Sequence, residues 1–353
     1  MARAALEAVG NELRNREGCN MEFQTSRRRL LGGLGALAIT SGMPLLRRAY
    51  SQPASPAPRV KSSFKLSVIN DEVSQDFERS CQVISQEFGL SFIELRGMWG
   101  KNILKLDTSE TAEAQRILKK YELKVTNIAS PLFKVDFPGA PVSKKFASRR
   151  DQFMADFTYE QQDDVLALCI EKAKAFDTDH VRIFDFWRLD NQAPYRAAIN
   201  KKLYGAAVRA RKNGIVLMVE NEFACNTATG GEAAKLMAEV PAPLMLLWDP
   251  ANASMDGEHA FPDGYNLLPK DRVAHCHCKD VVKNPTGSAA DWAAVGGGSI
   301  DWAGQFRTLK ADGYSHAISL ETHWRGAGTP EASTRQSWAG EKSALAAAGA
   351  LTT

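Results

Sequence analysis

The chain has 353 residues with 44 basic and 41 acidic side chains, and its formal net charge is +3 at pH 7. Eight arginines and four glutamates fall in residues 1–58, so the remaining body is close to neutral. A nearly neutral body argues against a nucleic-acid partner, which needs a basic surface, and the length suits one large α/β domain after a leader.

Residues 1–58 are predicted to be a leader and linker. Residues 26–31 read Ser-Arg-Arg-Arg-Leu-Leu, an apolar glycine-rich stretch follows to Leu46, and residues 51–58 contain mostly Pro, Ser and Ala. This pattern resembles a twin-arginine export signal, which implies the export machinery as a partner and a periplasmic location. The alternative is an uncleaved membrane anchor, but the run of 17 residues from Leu30 to Leu46 is interrupted by glycines and Pro44.

The body contains five cysteines at no regular spacing, and this odd number predicts no essential disulfide. They are Cys81, Cys169, Cys225, Cys276 and Cys278.

From Phe64 onward, short β-rich runs alternate with amphipathic helical stretches, as in a parallel sheet with crossover helices. The β-rich runs are residues 66–70, 92–96, 124–129, 180–185, 215–220, 244–249, 273–279 and 317–321. The helical stretches are residues 76–88, 109–121, 160–176, 195–213, 231–240 and 302–312. Eight such runs predict an α/β fold, a single (β/α)8 TIM barrel within residues 59–353.

Gly89, Gly214 and Gly313 stand just past three predicted helices, where a left-handed residue is favoured. Residues 130–159, rich in proline and basic side chains, are too long for an ordinary βα loop. We expect either a lid or rim element over the barrel mouth or a disordered surface insertion.

Four polar residues each close an apolar run in the second half of the chain: Glu220, Asp249, His277 and Glu321. Their spacing matches a strand, a helix and two loops, so each is expected at the carboxyl end of a successive parallel strand. Three carboxylates and one imidazole form an oxygen-rich set that suits one divalent metal ion. Mn²⁺ is expected first, with Mg²⁺, Co²⁺ and Zn²⁺ as alternatives.

Two of these ligand positions have rivals. His275, His277 and Lys279 share one face of their strand by parity, and His277 is favoured because it lies nearer the strand end. Glu222 lies two residues beyond Glu220 and could face the same way.

Several short motifs together make the chain similar to the xylose isomerase-like barrel family of sugar isomerases and epimerases, over most of residues 64–325. They are Phe92-Ile-Glu-Leu-Arg96, Val219-Glu220-Asn221, Trp248-Asp249-Pro-Ala-Asn252, His277-Cys-Lys-Asp280, Gly296-Gly-Gly-Ser-Ile-Asp-Trp302, Gly313-Tyr314 and Ser319-Leu-Glu321. In ketose epimerases of that family the matching Glu, Asp, His and Glu bind one divalent metal. The two glutamates also move the substrate proton, so the resemblance implies that catalytic role for Glu220 and Glu321.

The resemblance predicts a metal-dependent isomerase or epimerase that acts on a small sugar or polyol through an enediolate. One departure concerns Asn252, which stands where those epimerases place a substrate-contacting histidine. The alternatives are a metal-assisted lyase of the same family, such as an inosose or dehydroshikimate dehydratase, and a non-catalytic exported carbohydrate-binding barrel. Whether barrels associate into a homo-oligomer is left open.

Besides Asn252, three charged residues are candidates for substrate contact, and Trp187 is a fourth candidate among the aromatic residues. Lys279 could stabilise an oxyanion or pair with Asp280 or another acid. Arg96 and Arg182 could bind a substrate oxygen or form ion pairs with Glu94 and Asp185.

Trp187, with Trp99, Phe133 and Trp324, could form walls against which a sugar ring stacks. The triple glycine at 296–298 is expected to form a tight turn before a helix capped by Asp301, rather than a phosphate loop.

Overall fold

The computed structural model describes residues 56–145, 147–283 and 290–352, so the predicted export signal and most of the linker lie outside the described residues. Eight parallel strands form one sheet in which each strand from β2 to β7 pairs with the next strand along the chain, and β8 pairs with β1. The strands are β1 Lys65–Val68, β2 Phe92–Leu95, β3 Lys124–Ala129, β4 His180–Ile183, β5 Val216–Glu220, β6 Met245–Trp248, β7 Val273–Cys278 and β8 Ala317–Leu320. The predicted TIM barrel is confirmed.

Few backbone contacts join β1 to β2, the pair of strands that closes the barrel. Among the described residues a single parallel bridge joins Ile69 to Glu94. The Asn70 side chain replaces part of the missing ladder: its Oδ1 accepts from the Arg96 backbone N–H at 3.0 Å, and its Nδ2 donates to the Gly97 carbonyl. Side-chain amides can substitute for backbone partners in this way.

Helices surround the strands, and the six predicted helices agree with the structure to within two residues. The α-helices of six or more residues are α1 Phe77–Gln82, α2 Thr108–Lys120, α3 Gln162–Ala175, α4 Arg196–Lys212, α5 Gly230–Glu239, α6 Pro250–Met255, α7 Trp302–Ala311 and α8 Pro330–Ala347. A wider helical turn, Val83–Glu87, extends α1. Gly89, Gly214 and Gly313 follow their helices with φ of +71°, +80° and +74°, as the sequence predicts. Sequence analysis missed α6 and α8.

Smaller elements lie at the rim and at the chain ends. An antiparallel ribbon, Asp280–Lys283 with Ala290–Ala293, follows β7, and Lys61–Ser62 pairs with Leu351–Thr352. Within the described ranges no helix is both long and apolar enough to cross a bilayer. The five body cysteines are buried and form no disulfide.

The described part of residues 130–159 packs against the barrel. The backbone N–H groups of β4-loop residues Phe184 and Phe186 donate to the carbonyls of Leu132 and Phe133 at 3.0 and 2.9 Å. Further along the segment, the Phe153 ring centroid lies 4.9 and 4.7 Å from the guanidinium carbons of Arg96 and Arg182, which lie near the carboxyl ends of β2 and β4. This segment therefore lies over the barrel mouth, as the lid or rim interpretation expects.

Candidate metal centre

The four polar residues predicted at the strand ends meet inside the barrel mouth. Glu220 ends β5, Asp249 and Glu321 directly follow β6 and β8, and His277 is the penultimate residue of β7. All four are buried, and each offers one ligand atom within 4.8 Å of the other three. The structure thus brings the set together at the carboxyl face, where TIM barrels carry their active sites.

The ring of His277 is oriented by carboxylates on both sides. Its Nδ1 lies 3.1 Å from Glu220, 3.7 Å from Asp249 and 3.2 Å from Glu321. Its Nε2 lies 3.2 Å from Glu94. Because a carboxylate only accepts hydrogen bonds, Nε2 carries a proton and donates it to Glu94. The neutral ring then directs its Nδ1 lone pair at three carboxylates, an arrangement that requires a shared cation or a second ring proton.

Glu94 is a site residue that sequence analysis did not assign. It is fully buried in β2, and its other carboxylate oxygen lies 3.0 Å from Nε2 of His275. Asn127 Nδ2 lies 3.3 Å from the same nitrogen. His275 is therefore a hydrogen-bonded interior residue beside the four-ligand set, and His277 is the histidine within it. The available signal for Glu94 was an acidic residue inside an otherwise apolar strand.

The charges of the site follow from burial and mutual proximity. Burial alone would raise the pKa of Glu220, yet His277 and Arg182 outweigh it and lower that pKa to about 2. Burial also opposes the charge on Glu321, but Lys279 and other cations hold its pKa well below the usual range. Burial lowers the pKa of His277, and the neighbouring carboxylates more than reverse this and raise it well above its ordinary value. Both glutamates are therefore ionised.

Local sequence fixes how Asp249 and Glu220 are presented. Asp249 is the N-cap of α6, with Pro250 in the first turn, and its Oδ1 accepts from the Asn252 backbone N–H at 2.9 Å. This leaves Oδ2 directed into the cluster. The Asn252 side chain donates from Nδ2 to Glu220 Oε1 at 3.1 Å, so this residue positions a predicted ligand. Asn221 joins the two loops by donating to the Asp249 carbonyl at 2.8 Å.

Lys279 lies among the predicted ligands. Its ammonium is 2.8 Å from Asp249 Oδ2 and 2.6 Å from Glu321 Oε2. The predicted alternative of a pair with Asp280 or another acid therefore holds for two other acids, Asp249 and Glu321. Asp280 is not the partner, because its carboxylate is held by backbone N–H groups of Val281, Gly296, Gly298 and Ile300.

The triple glycine therefore forms a turn around an internal carboxylate. A Cβ added at Gly298 would lie 2.1 Å from Asp280 Oδ1, so only glycine allows this approach. Asp301 caps α7 as predicted, accepting from the Gly304 N–H at 2.8 Å.

The two arginines predicted to contact substrate are each paired with a predicted metal ligand. Arg96 binds Glu321 at 2.8 Å, and it also binds Asp71 at 2.9 Å and Glu72 at 2.6 Å. A pair with Glu94 does not form, because Glu94 binds the two histidines.

Arg182 lies 3.2 Å from Glu220 Oε2. The predicted alternative of Asp185 is wrong, since that carboxylate instead binds Arg196 at 3.1 Å and Thr227 at 2.6 Å.

The predicted aromatic walls divide between the site and the core. Trp187 is buried, with its ring 5.5 Å from the Lys134 ammonium. Phe133 is fully buried against Phe186, and Trp99 is partly exposed against Phe77.

An aromatic residue that sequence analysis missed, Trp292, lies in the ribbon after β7. Its ring centroid is 5.4 Å from Lys279 Nζ and 4.8 Å from that of His323. His323 in turn lies 3.8 Å from Glu321, so these two residues extend the site toward the rim.

The donor set fits a divalent cation. Two buried oxygens, Glu220 Oε2 and Asp249 Oδ2, receive no hydrogen bond from the described residues, although Arg182 and Lys279 lie within 3.2 and 2.8 Å of them. Close cations without directed donors leave lone pairs for a further partner. Three carboxylates with one imidazole and no thiolate suit Mn²⁺, Mg²⁺, Co²⁺ or Zn²⁺.

The chain belongs to the xylose isomerase-like TIM barrel family, whose model matches residues 84–342. A search of curated proteins gave no significant match. The chain spans 42% of a solved fusion protein that joins a xylose isomerase-like TIM barrel to a 4-hydroxyphenylpyruvate dioxygenase, with 16% identity over 79% of this chain and a TM-score of 0.60.

Three further solved structures share the fold over most of both chains. The IOLI protein with a bound zinc atom is 15% identical, with a TM-score of 0.61 and coverage of 81% of this chain and 98% of that one. The probable 3-DHS dehydratase AsbF of Bacillus anthracis is 18% identical, with a TM-score of 0.58 and coverage of 79% and 98%. A D-psicose 3-epimerase, solved in the presence of D-fructose, is 16% identical, with a TM-score of 0.55 and coverage of 80% and 97%. Proteins with this fold thus include a D-psicose 3-epimerase and a probable 3-DHS dehydratase.

Proposed function

We propose that this barrel is a divalent-metal-dependent isomerase or epimerase of a small sugar or polyol. The observation that carries the proposal is the convergence of Glu220, Asp249, His277 and Glu321 within 4.8 Å of one another. These four residues would hold the ion, and the oxygen-rich donors favour Mn²⁺. When bound, such an ion polarises a carbonyl and an adjacent hydroxyl, which makes the neighbouring C–H more acidic.

The two glutamates supply the proton transfer. Glu220 is ionised and steadied by the Asn252 amide, so it accepts the proton from the substrate carbon. Glu321 lies across the cluster, between Arg96 and Lys279. Because Glu321 is ionised, it takes a proton from the Lys279 ammonium at 2.6 Å and passes it to that carbon; solvent then reprotonates Lys279 and removes the proton from Glu220. Arg182 lies 3.2 Å from the other oxygen of Glu220, Oε2, and so helps to fix the position of that carboxylate. Return from the opposite face inverts the carbon, which is epimerisation.

A metal-assisted dehydratase is the second candidate, because one observation favours it. The Lys279 ammonium is fully buried, 2.6 Å from Glu321, and could donate a proton to a departing hydroxyl group. The two reactions share the first proton abstraction by Glu220 and differ in whether water is lost.

The test is exchange in deuterated water with Mn²⁺-loaded protein and a panel of ketoses and keto-polyols. An isomerase or epimerase incorporates deuterium at the reacting carbon and conserves all hydroxyls, whereas a dehydratase releases water and yields an unsaturated product. Glu220→Gln is expected to lower turnover by at least about 100-fold, the range for a lost general base. Glu239→Gln, a surface carboxylate on α5, is the matched control. Full turnover by Glu220→Gln would refute the assigned role.

If no panel member exchanges deuterium but the metal-loaded protein binds sugars, the non-catalytic carbohydrate-binding alternative replaces the enzyme. Export also remains a proposal, and with it the twin-arginine machinery as a partner. Cell fractionation of the full chain tests it: Arg27→Lys with Arg28→Lys should retain the protein in the cytoplasm if the signal operates.

A further inference from the structure

Lys134 is a buried cation with weak compensation. Its side chain is 4% exposed, and its ammonium lies over the rings of Phe153 at 4.1 Å, Phe184 at 4.4 Å and Trp187 at 5.5 Å. The nearest carboxylate, Glu222, is 3.7 Å away, beyond hydrogen-bond distance. Among the described residues none accepts a hydrogen bond from this ammonium. An ammonium has three donors, so Lys134 retains donors for a further partner.

Arg182 is a second buried cation with unused donors, and it lies against two of the same rings. Its guanidinium carbon is 4.7 Å from the Phe153 centroid and 4.8 Å from that of Phe184. One terminal nitrogen donates to the Ala129 carbonyl at 3.1 Å. Its Nε and other terminal nitrogen find no hydrogen-bond acceptor in the described part of the chain, although Glu220 lies 3.2 Å from the latter.

A buried cation whose N–H donors lack acceptors destabilises the protein unless a ligand accepts hydrogen bonds from them. Removing a charge from water is costly, and contact with an aromatic ring face offsets only part of that cost. Lys134 and Arg182 both lie within 5 Å of the Phe153 and Phe184 rings, so they form one cationic wall. Because Arg182 also touches Glu220, this wall adjoins the predicted metal centre.

We propose that Lys134 and Arg182 form an anion-binding subsite, which holds a carboxylate or phosphate group of the substrate beside the metal centre. Phe153 and Phe184 exclude water from this wall, which strengthens the attraction between the cations and anionic oxygens. The inference rests on the proposed function and narrows its substrate class from sugars and polyols to their acidic derivatives.

The test is calorimetric binding of three matched ligands to the Mn²⁺-loaded full chain: D-fructose, D-fructuronate and D-fructose 6-phosphate. The acidic ligands are expected to bind at least about tenfold more tightly than fructose, the gain from one charged hydrogen bond. The tighter of the two acidic ligands identifies carboxylate or phosphate as the recognised group. Equal binding of all three would overturn the proposal.

Three variants separate the subsite from general effects. Lys134→Met should lose the preference for acidic ligands and keep the affinity for fructose, whereas Lys134→Arg should retain part of the preference. Lys235→Met, which removes an exposed charge from α5, should behave as wild type. If Lys134→Met folds, as judged by Tm, and keeps the full preference, the anion binds elsewhere, for example on the metal, and the proposal fails.

The same ligands distinguish this failure from failure of the proposed function. Deuterium exchange with a neutral sugar, combined with equal binding of acidic and neutral ligands, overturns only the subsite. A preference for acidic ligands that Lys134→Met abolishes supports the subsite even if no exchange occurs.

Discussion

Glu94→Gln is expected to weaken metal binding although Glu94 is not itself a proposed ligand. Glu94 holds His277 at 3.2 Å and His275 at 3.0 Å through different oxygens. Glutamine offers one acceptor and one NH₂ group. If the NH₂ faces His277, the ring proton moves to Nδ1 and blocks ligation; if the oxygen faces His277, the orienting charge is still lost. We expect a loss of about 10- to 100-fold in metal affinity, about 1.4 to 2.8 kcal/mol.

The measurement is a metal titration against a competing chelator, with metal content of the purified variant as a second readout. Glu341→Gln is the matched control, because Glu341 is also a fully buried glutamate, on α8, and lacks a hydrogen-bond partner among the described residues. It should leave metal affinity unchanged. A folded Glu94→Gln variant that binds metal within about twofold of wild type would refute the assigned tautomer and the role of Glu94.

The remaining predictions concern pH. Burial raises the pKa of Glu341 well above 4.5, so the folded state keeps a proton that the unfolded state loses, and stability falls as pH rises above 4.5. Glu341→Gln should remove this slope and raise the free energy of unfolding at pH 7 by about 1 to 3 kcal/mol in urea titrations; no gain would contradict the burial argument. The pKa of His277 is raised well above 6.5, so metal must displace its proton, and affinity should rise about tenfold per pH unit below that raised pKa. Calorimetry in buffers of different ionisation enthalpy should detect the released proton, and a pH-independent affinity would contradict this.

The sequence predicted the barrel well because its signals are local. Each strand is a short apolar run, and glycines such as Gly89 and Gly214 mark helix ends with positive φ. The two missed helices lack such signals. Pro250–Met255 is a single short helix directly after Asp249, and Pro330–Ala347 mixes small and polar residues with little periodicity.

A site residue could be predicted from the sequence only where a polar residue follows or ends a short apolar run. Glu220 and Glu321 have this local signal. Glu94 lies within β2 and contacts His277 across the barrel interior, so it has no such signal. Lys134 and Phe153 come from the long segment after β3, whose path the sequence does not determine. Which acid a basic residue pairs with also depends on the path of the loops, which the sequence does not determine. Lys279, for example, pairs with Asp249 and not with Asp280.

The weakly bonded junction of β1 and β2 passes through Glu94, since the Ile69–Glu94 bridge is its one ladder contact in the described ranges. Glu94 therefore both orients His277 and joins the first two strands of the barrel. Metal binding at the barrel mouth and pairing of β1 with β2 are then linked equilibria. Metal loading should therefore slow amide hydrogen exchange along this junction more than elsewhere in the sheet.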